Sequence, residues 1–133
     1  MITGIGIDSV DIEKFAQWHS FEEKSLLKIF SPEEIAYCLE NPIKSAERFA
    51  VRFAAKEAFY KAFCASFPEQ ELPLVSVIKH SALCKQKNGH NKLCIAWDLF
   101  YPAGNDLTTF ISLTHTKTTA TAFVILEKRA LQV

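Results

Sequence analysis

No sign of charge dominates this sequence. Its 15 lysines and arginines meet 15 aspartates and glutamates, for a formal net charge of +0 at pH 7. A protein that coats nucleic acid carries a basic excess, so the overall balance speaks against nucleic acid as the partner. Neither an acidic tail nor a basic arm is present. Long apolar runs are absent too, and a helix that crosses a bilayer needs about 20 such residues. The opening stretch MITGIGIDSVDIEKF lacks a basic leader and reads as neither a signal peptide nor a transit peptide. No membrane partner is expected, and the expected location is cytoplasmic. The four cysteines, Cys38, Cys64, Cys84 and Cys94, contain no CxxC pair. They read as free thiols, buried or partly buried, in a reducing compartment. Zinc held by Cys84, His90 and Cys94 would lack a fourth ligand at a typical spacing. The dinucleotide fingerprint GxGxxG is missing, since GIGID has the wrong spacing, and so are the GxxxxGK phosphate loop, HExxH and GxSxG. No repeat, low-complexity segment or linker divides the chain, so residues 1–133 read as one domain.

What is present is an apolar chain rich in phenylalanine. Hydrophobic residues make up 49% of it, with 11 phenylalanines, which argues against disorder. A chain of 133 residues has room for one real core and little for a second. It also leaves much surface exposed, which partner subunits could help to cover. The phenylalanines fit core packing, with a subunit interface as the alternative use for some of them.

Residues 2–8 read as a strand with Ile5 and Ile7 on one face. Gly4, Gly6 and Asp8 take the other face, where the glycines would let a ligand or helix approach the backbone and Asp8 would sit at the strand's end. A helix is expected over 18–30, with Ser20 and Glu23 as a capping box. Ser31-Pro32-Glu33-Glu34 is a clearer helix start, and that helix stops before Pro42. Residues 46–67 contain neither internal glycine nor proline and are rich in Ala, Glu, Lys and Arg, the strongest helix signal of the chain. Beyond it come an expected strand near Val75 and Val77, a polar turn at 85–91, a strand at 93–97, a loop at 101–106, and strands at 109–113 and 119–127 joined by a tight turn. The order is strand, helices, then strands, an α+β arrangement.

Three groups could carry chemistry. Asp8 and Glu57 are carboxylates from separate elements, the kind of oxygen ligands a hard cation such as Mg2+ takes. On spacing alone, Asp8 in a turn and Glu57 paired with Lys61 one helical turn on is the plainer reading. Arg48, Arg52 and Lys56 recur every fourth residue and form one stripe, able to grip phosphate or simply to face solvent. His115 sits at the turn after Ser112 and Thr114, where it could bind phosphate, act as a base or be a surface histidine.

Taken together, three segments resemble the holo-acyl-carrier-protein synthase family, the small phosphopantetheinyl transferases. GIGIDSVDIEKF resembles the family's opening strand, RFAAKEAFYKAF its signature helix, and FISLTHTKTTATAFVILEK its C-terminal hairpin. Their order and distances fit as well. The resemblance implies a fold with an antiparallel sheet packed against a long helix. It implies transfer of 4'-phosphopantetheine from coenzyme A to a serine of apo acyl carrier protein, releasing 3',5'-ADP, in support of fatty acid biosynthesis. Asp8 and Glu57 match the family's Mg2+ ligands, and Lys61 matches the lysine near the reacting phosphate. Arg52 and His115 match positions that bind the nucleotide part of coenzyme A, with Arg48 and its stripe neighbour Lys56 as further candidates. Lys14 stands where the family usually has an arginine that contacts the carrier protein. Thr114 replaces a serine, the glycine-lysine-proline turn is replaced by Asn88-Gly89-His90-Asn91-Lys92, and the glycine after the signature helix is missing. The family is typically a homotrimer with active sites between subunits. The alternative is a non-catalytic coenzyme A or carrier-protein binding module of the same fold, against which Asp8, Glu57 and Lys61 argue.

Overall fold

The computed structural model describes residues 1–130, so positions 131–133 of the expected domain span lie outside it. Strand β1 (Ile2–Asp11) leads into two short 3-10 turns, Ile12–Phe15 and Trp18–Ser20. Four helices follow: α1 (Glu23–Leu26), α2 (Pro32–Glu40), α3 (Ser45–Ser66) and α4 (Leu74–Ile78). Then come the hairpin β2 (Ser81–Lys85) and β3 (Asn91–Ile95), and the hairpin β4 (Leu107–His115) and β5 (Thr119–Lys128). The main sheet is antiparallel in the order β1-β5-β4, and β2-β3 form a separate two-stranded sheet. The fold is α+β, with α3 laid across the main sheet.

The glycines of β1 set how closely α3 lies. A Cβ built on Gly6 would run into the carbonyl oxygen of Ala58, and one on Gly4 into that of Ala62 and into Ser66 Oγ. Bare backbone on the strand and alanines on the helix let the two surfaces meet at van der Waals distance. A hydrogen bond of 2.8 Å between Thr3 and Ser66 fastens the far end. β5 is central, with Ala120, Ala122, Val124 and Leu126 buried against α3. The strand continues past Asp8, because β5 supplies partners down to Thr119 opposite Asp11. Asp8 is therefore an internal residue of β1 rather than its last.

α3 passes through two buried clusters, where one core was expected. One gathers Phe59, Phe63, Trp97, Val124 and Leu126, and the other gathers Phe15, Leu26, Phe30, Cys38 and Phe49. Trp18 caps the second, its ring 4.5 Å from Phe15 and 5.7 Å from Phe53. That cap explains why residues 18–30 do not form one helix: the chain coils around the Trp18 ring. Ser20 does not cap a helix there; its hydroxyl donates to the Gln17 carbonyl. Residues 74–78 are helical, not extended. Val75 is exposed while Val77 and Ile78 are buried side by side, which a two-residue repeat cannot do. The α2 start agrees with the sequence: Glu34 N–H donates to Ser31 Oγ at 3.1 Å, and Ser31 N–H to Glu34 Oε1 at 3.0 Å. All four cysteines are free thiols; Cys38 is buried and Cys84 exposed.

Candidate active site

The close approach of α3 to β1 brings Asp8 beside Glu57 and Lys61. Lys61 Nζ donates to Asp8 Oδ1 at 3.2 Å and to the Ile7 carbonyl at 2.9 Å. The lysine thus pairs with Asp8, not with Glu57 on its own helix. Asp8 Oδ2 is buried and has no hydrogen-bond partner. Burial and the neighbouring Asp8 charge push the Glu57 carboxyl up to about 7. Two neighbouring carboxyl groups cannot both ionise cheaply, so they favour holding a proton or a cation. Among the described residues no group of three or more His, Cys, Asp or Glu side chains gathers at one point. A metal at Asp8 and Glu57 would take two protein carboxylates and fill its shell with water and ligand phosphate, the pattern that suits Mg2+. The orphaned Asp8 Oδ2 and the raised Glu57 fit such an ion. A cleft of about 370 Å³ opens beside the pair, lined by Asp8, Asp11, Lys14, Trp18, Phe53 and Glu57.

A second cleft, of about 280 Å³, lies between α2, the first half of α3, β2 and the end of β4. Arg48, Arg52 and His115 all line it, together with Lys44, Lys85 and Tyr37. Tyr37 organises the cations: the Arg48 and Arg52 guanidinium carbons stand 3.9 and 4.4 Å from its ring centre, and Lys85 Nζ 5.2 Å. Stacking on an aromatic face holds like charges close together at low entropic cost. Arg52 Nη1 donates to the Arg48 carbonyl at 3.2 Å, while the Nε atoms of Arg48 and Arg52 are buried without partners. His115 Nε2 lies 3.2 Å from Glu47 Oε1. The cleft is built for an anion with several oxygens. Tyr37, Lys44 and Lys85 were not singled out in the sequence, because they come from α2, the α2–α3 link and β2 and meet only in the fold.

Lys56 does not join Arg48 and Arg52 in facing this cleft, contrary to the stripe read from the sequence. It is fully buried; its Nζ lies 2.8 Å from Glu34 Oε1 and donates to the Ser81 carbonyl. The stripe turns inward at Lys56 because β2 and α2 cover that part of α3. The structure thus puts Asp8 and Glu57 on the wall of one cleft, with Lys61 paired to Asp8 behind them, and Arg48, Arg52 and His115 on the wall of another, and no residue lines both.

Residues 4–101 match the model of the 4'-phosphopantetheinyl transferase superfamily. The chain belongs to that superfamily. A holo-acyl-carrier-protein synthase of Treponema denticola is 38% identical over 133 residues, covering 96% of this chain and 99% of its own. Among solved structures of the superfamily, the Mycobacterium tuberculosis acyl carrier protein synthase superposes with a TM-score of 0.73 at 29% identity, covering 97% of this chain and 100% of its own. A Chronobacterium ammoniagenes synthase solved as a coenzyme A complex shares the fold with a TM-score of 0.78 at 24% identity, over 96% of this chain and 98% of its own. The transferase superfamily's match takes in both Asp8 and the whole of α3.

Proposed function

We propose that this chain is a holo-acyl-carrier-protein synthase, one phosphopantetheinyl transferase domain over residues 1–133. It moves 4'-phosphopantetheine from coenzyme A to a serine of apo acyl carrier protein and releases 3',5'-ADP, serving fatty acid biosynthesis in the cytoplasm. The observation that carries the reading is that Asp8 and Glu57 line one cleft while Lys61 is ion-paired to Asp8.

In the reaction the serine oxygen attacks the phosphorus nearer the pantetheine, and the bond from that phosphorus to the bridging oxygen breaks, leaving on 3',5'-ADP. Glu57 accepts the serine proton directly or through one water. Lys61 offsets charge that builds on the departing oxygen. Arg52 and His115, with Arg48, position the nucleotide end of coenzyme A. Lys14, on the wall of the carboxylate cleft, contacts the acidic carrier protein. Asp8 and Glu57 would hold Mg2+, which when bound would supply charge neutralisation at the diphosphate.

The assembly is a homotrimer with composite sites. Two observations support it. The carboxylate and cationic groups of one chain occupy separate clefts, so a long ligand that uses both is best spanned by neighbouring subunits. The outer face of the main sheet also leaves Ile5 52%, Ile7 57% and Phe110 49% exposed, in a row with half-buried Phe123 and Ile125. Such an apolar face on a small protein marks an interface.

Intact-mass analysis of an apo acyl carrier protein, incubated with this chain and coenzyme A with Mg2+ or with a chelator, tests the proposal. A gain of one phosphopantetheine with metal alone is the expected result. No gain on several authentic apo carriers would leave a binding module of the same fold.

A further inference from the structure

We infer that the buried Glu34–Lys56 pair is a positioning element for coenzyme A: it fixes three walls of the cationic cleft relative to one another and thereby sets affinity for the nucleotide end of the substrate, without touching it. The inference rests on the transferase reading above.

The pair uses nearly all its hydrogen-bonding capacity across three elements. Glu34 Oε1 takes Lys56 Nζ at 2.8 Å and the Ser31 N–H at 3.0 Å, while Oε2 accepts from the Leu83 N–H at 3.1 Å. Lys56 Nζ donates also to the Ser81 carbonyl. One ion pair therefore ties α2 at its first turn, α3 at its middle and β2 at its start. Each tie lies one step from a cleft wall. Tyr37 is the next turn of α2 after Glu34, Arg52 is the preceding turn of α3 before Lys56, and Leu83 is itself a lining residue. The Tyr37–Arg52 stack at 4.4 Å depends on the spacing of α2 and α3, which the pair sets.

Stability does not account for charge at this place. Both side chains are essentially sealed from water, and a buried ion pair often stabilises no more than apolar residues of the same volume. Charge supplies directed hydrogen bonds, and here those bonds end on the backbone of the strand that forms the third wall. Neither Glu34 nor Lys56 lines the cationic cleft, and both are turned into contacts within the fold, so their effect is one of position.

The test replaces the pair by apolar volume, in Glu34→Leu/Lys56→Leu, and by a near-isostere, in Glu34→Gln. Each folded variant is assayed for the Kd of 3',5'-ADP and of coenzyme A by calorimetry, and for KM and kcat. In the double variant we expect both dissociation constants and the KM for coenzyme A to rise about tenfold, with kcat changing less than about threefold and the KM for carrier protein unmoved. Glu34→Gln, which keeps the acceptor for Leu83, should show a smaller rise, and Lys56→Arg, which keeps the charge and the donors, should hold most of the parent affinity. If melting temperatures fall while both dissociation constants stay at the parent value, the pair is merely structural and the inference is overturned. A fall in kcat at unchanged KM overturns it too, since the pair would then act through the neighbouring Glu57. If the unaltered protein binds neither 3',5'-ADP nor coenzyme A, the transferase reading itself fails, an outcome distinct from failure in the variants alone.

Discussion

At the scale of single residues the proposed mechanism turns on Glu57. Removing it as Glu57→Ala takes away the proton acceptor and one carboxylate of the pair, so transfer is expected to fall by at least about a hundredfold. The melting temperature should hold or rise, because a carboxyl that is costly to ionise has been lost. A folded Glu57→Ala protein with full Mg2+-dependent transfer would remove Glu57 from the mechanism. The raised pKa also has a consequence for the metal-free protein. Its carboxyl moves from an ordinary 4.5 to about 7 on folding, so the folded state binds the proton more tightly than the unfolded chain does. Below the unfolded value both states are protonated and no penalty arises. Between there and about 7 the unfolded chain ionises first, and stability drops with rising pH. Glu57→Gln abolishes this titration. Its melting temperature, compared with the parent in chelator, should therefore gain ground from pH 5 to about pH 7 and level off above it; a difference independent of pH would contradict the raised Glu57 carboxyl. The sequence exposed these residues unevenly. Asp8 and Glu57 stood out as candidates, but spacing alone favoured a Glu57–Lys61 pair, and only the glycine contact between β1 and α3 redirects Lys61 to Asp8. Lys56 was misplaced because a four-residue stripe shows which residues share a helix face, not which part of that face a neighbour covers.

At the scale of elements, the β1–α3 contact determines whether the carboxylates meet at all. Gly6→Ala would place a methyl group against the Ala58 carbonyl, a backbone atom that cannot swing aside. Overpacking of this kind costs about 1–3 kcal/mol, read as a lower denaturant midpoint at unchanged slope. The same shift parts Asp8 from Glu57, so transfer should fall along with stability, and an unchanged midpoint would mean that strand and helix do not touch at this glycine. The long helix, the Ser31 cap and the last two strands were readable from local chemistry: propensity, a capping box and turn residues act within a few positions. The misread elements are those decided at a distance. Val75 and Val77 look like a strand in the sequence, yet Pro73 precedes a helical turn that buries Val77 and Ile78. Residues 18–30 look like a capped helix, yet the aromatic cluster around Trp18 breaks them into short pieces.

At the scale of the whole molecule, one chain holds two clefts that share no lining residue. No local pattern could reveal this, since it depends on which side of α3 each cleft opens. The exposed row of Ile5, Ile7 and Phe110 is an apolar surface, and in the proposed ring of three each carboxylate cleft would face a neighbour's cationic cleft. That arrangement can be told from a site contained in one chain by mixing two inactive variants. Glu57→Ala damages the carboxylate half only, and Arg52→Ala the cationic half only. In trimers dissociated and reassembled from equal amounts of each, about one site in four joins an intact carboxylate half to an intact cationic half, given random assembly of a symmetric ring. Transfer should therefore return to about a quarter of the parent rate, although either variant alone is nearly inactive. A site built within one chain would gain nothing from mixing, because every chain carries a lesion. Adding Ile7→Asp to both variants puts a charge in the middle of the exposed apolar row, and should abolish the recovered activity together with the trimer peak in sedimentation. Recovery that survives the loss of that peak would place the composite contact on some other surface than the outer face of the sheet.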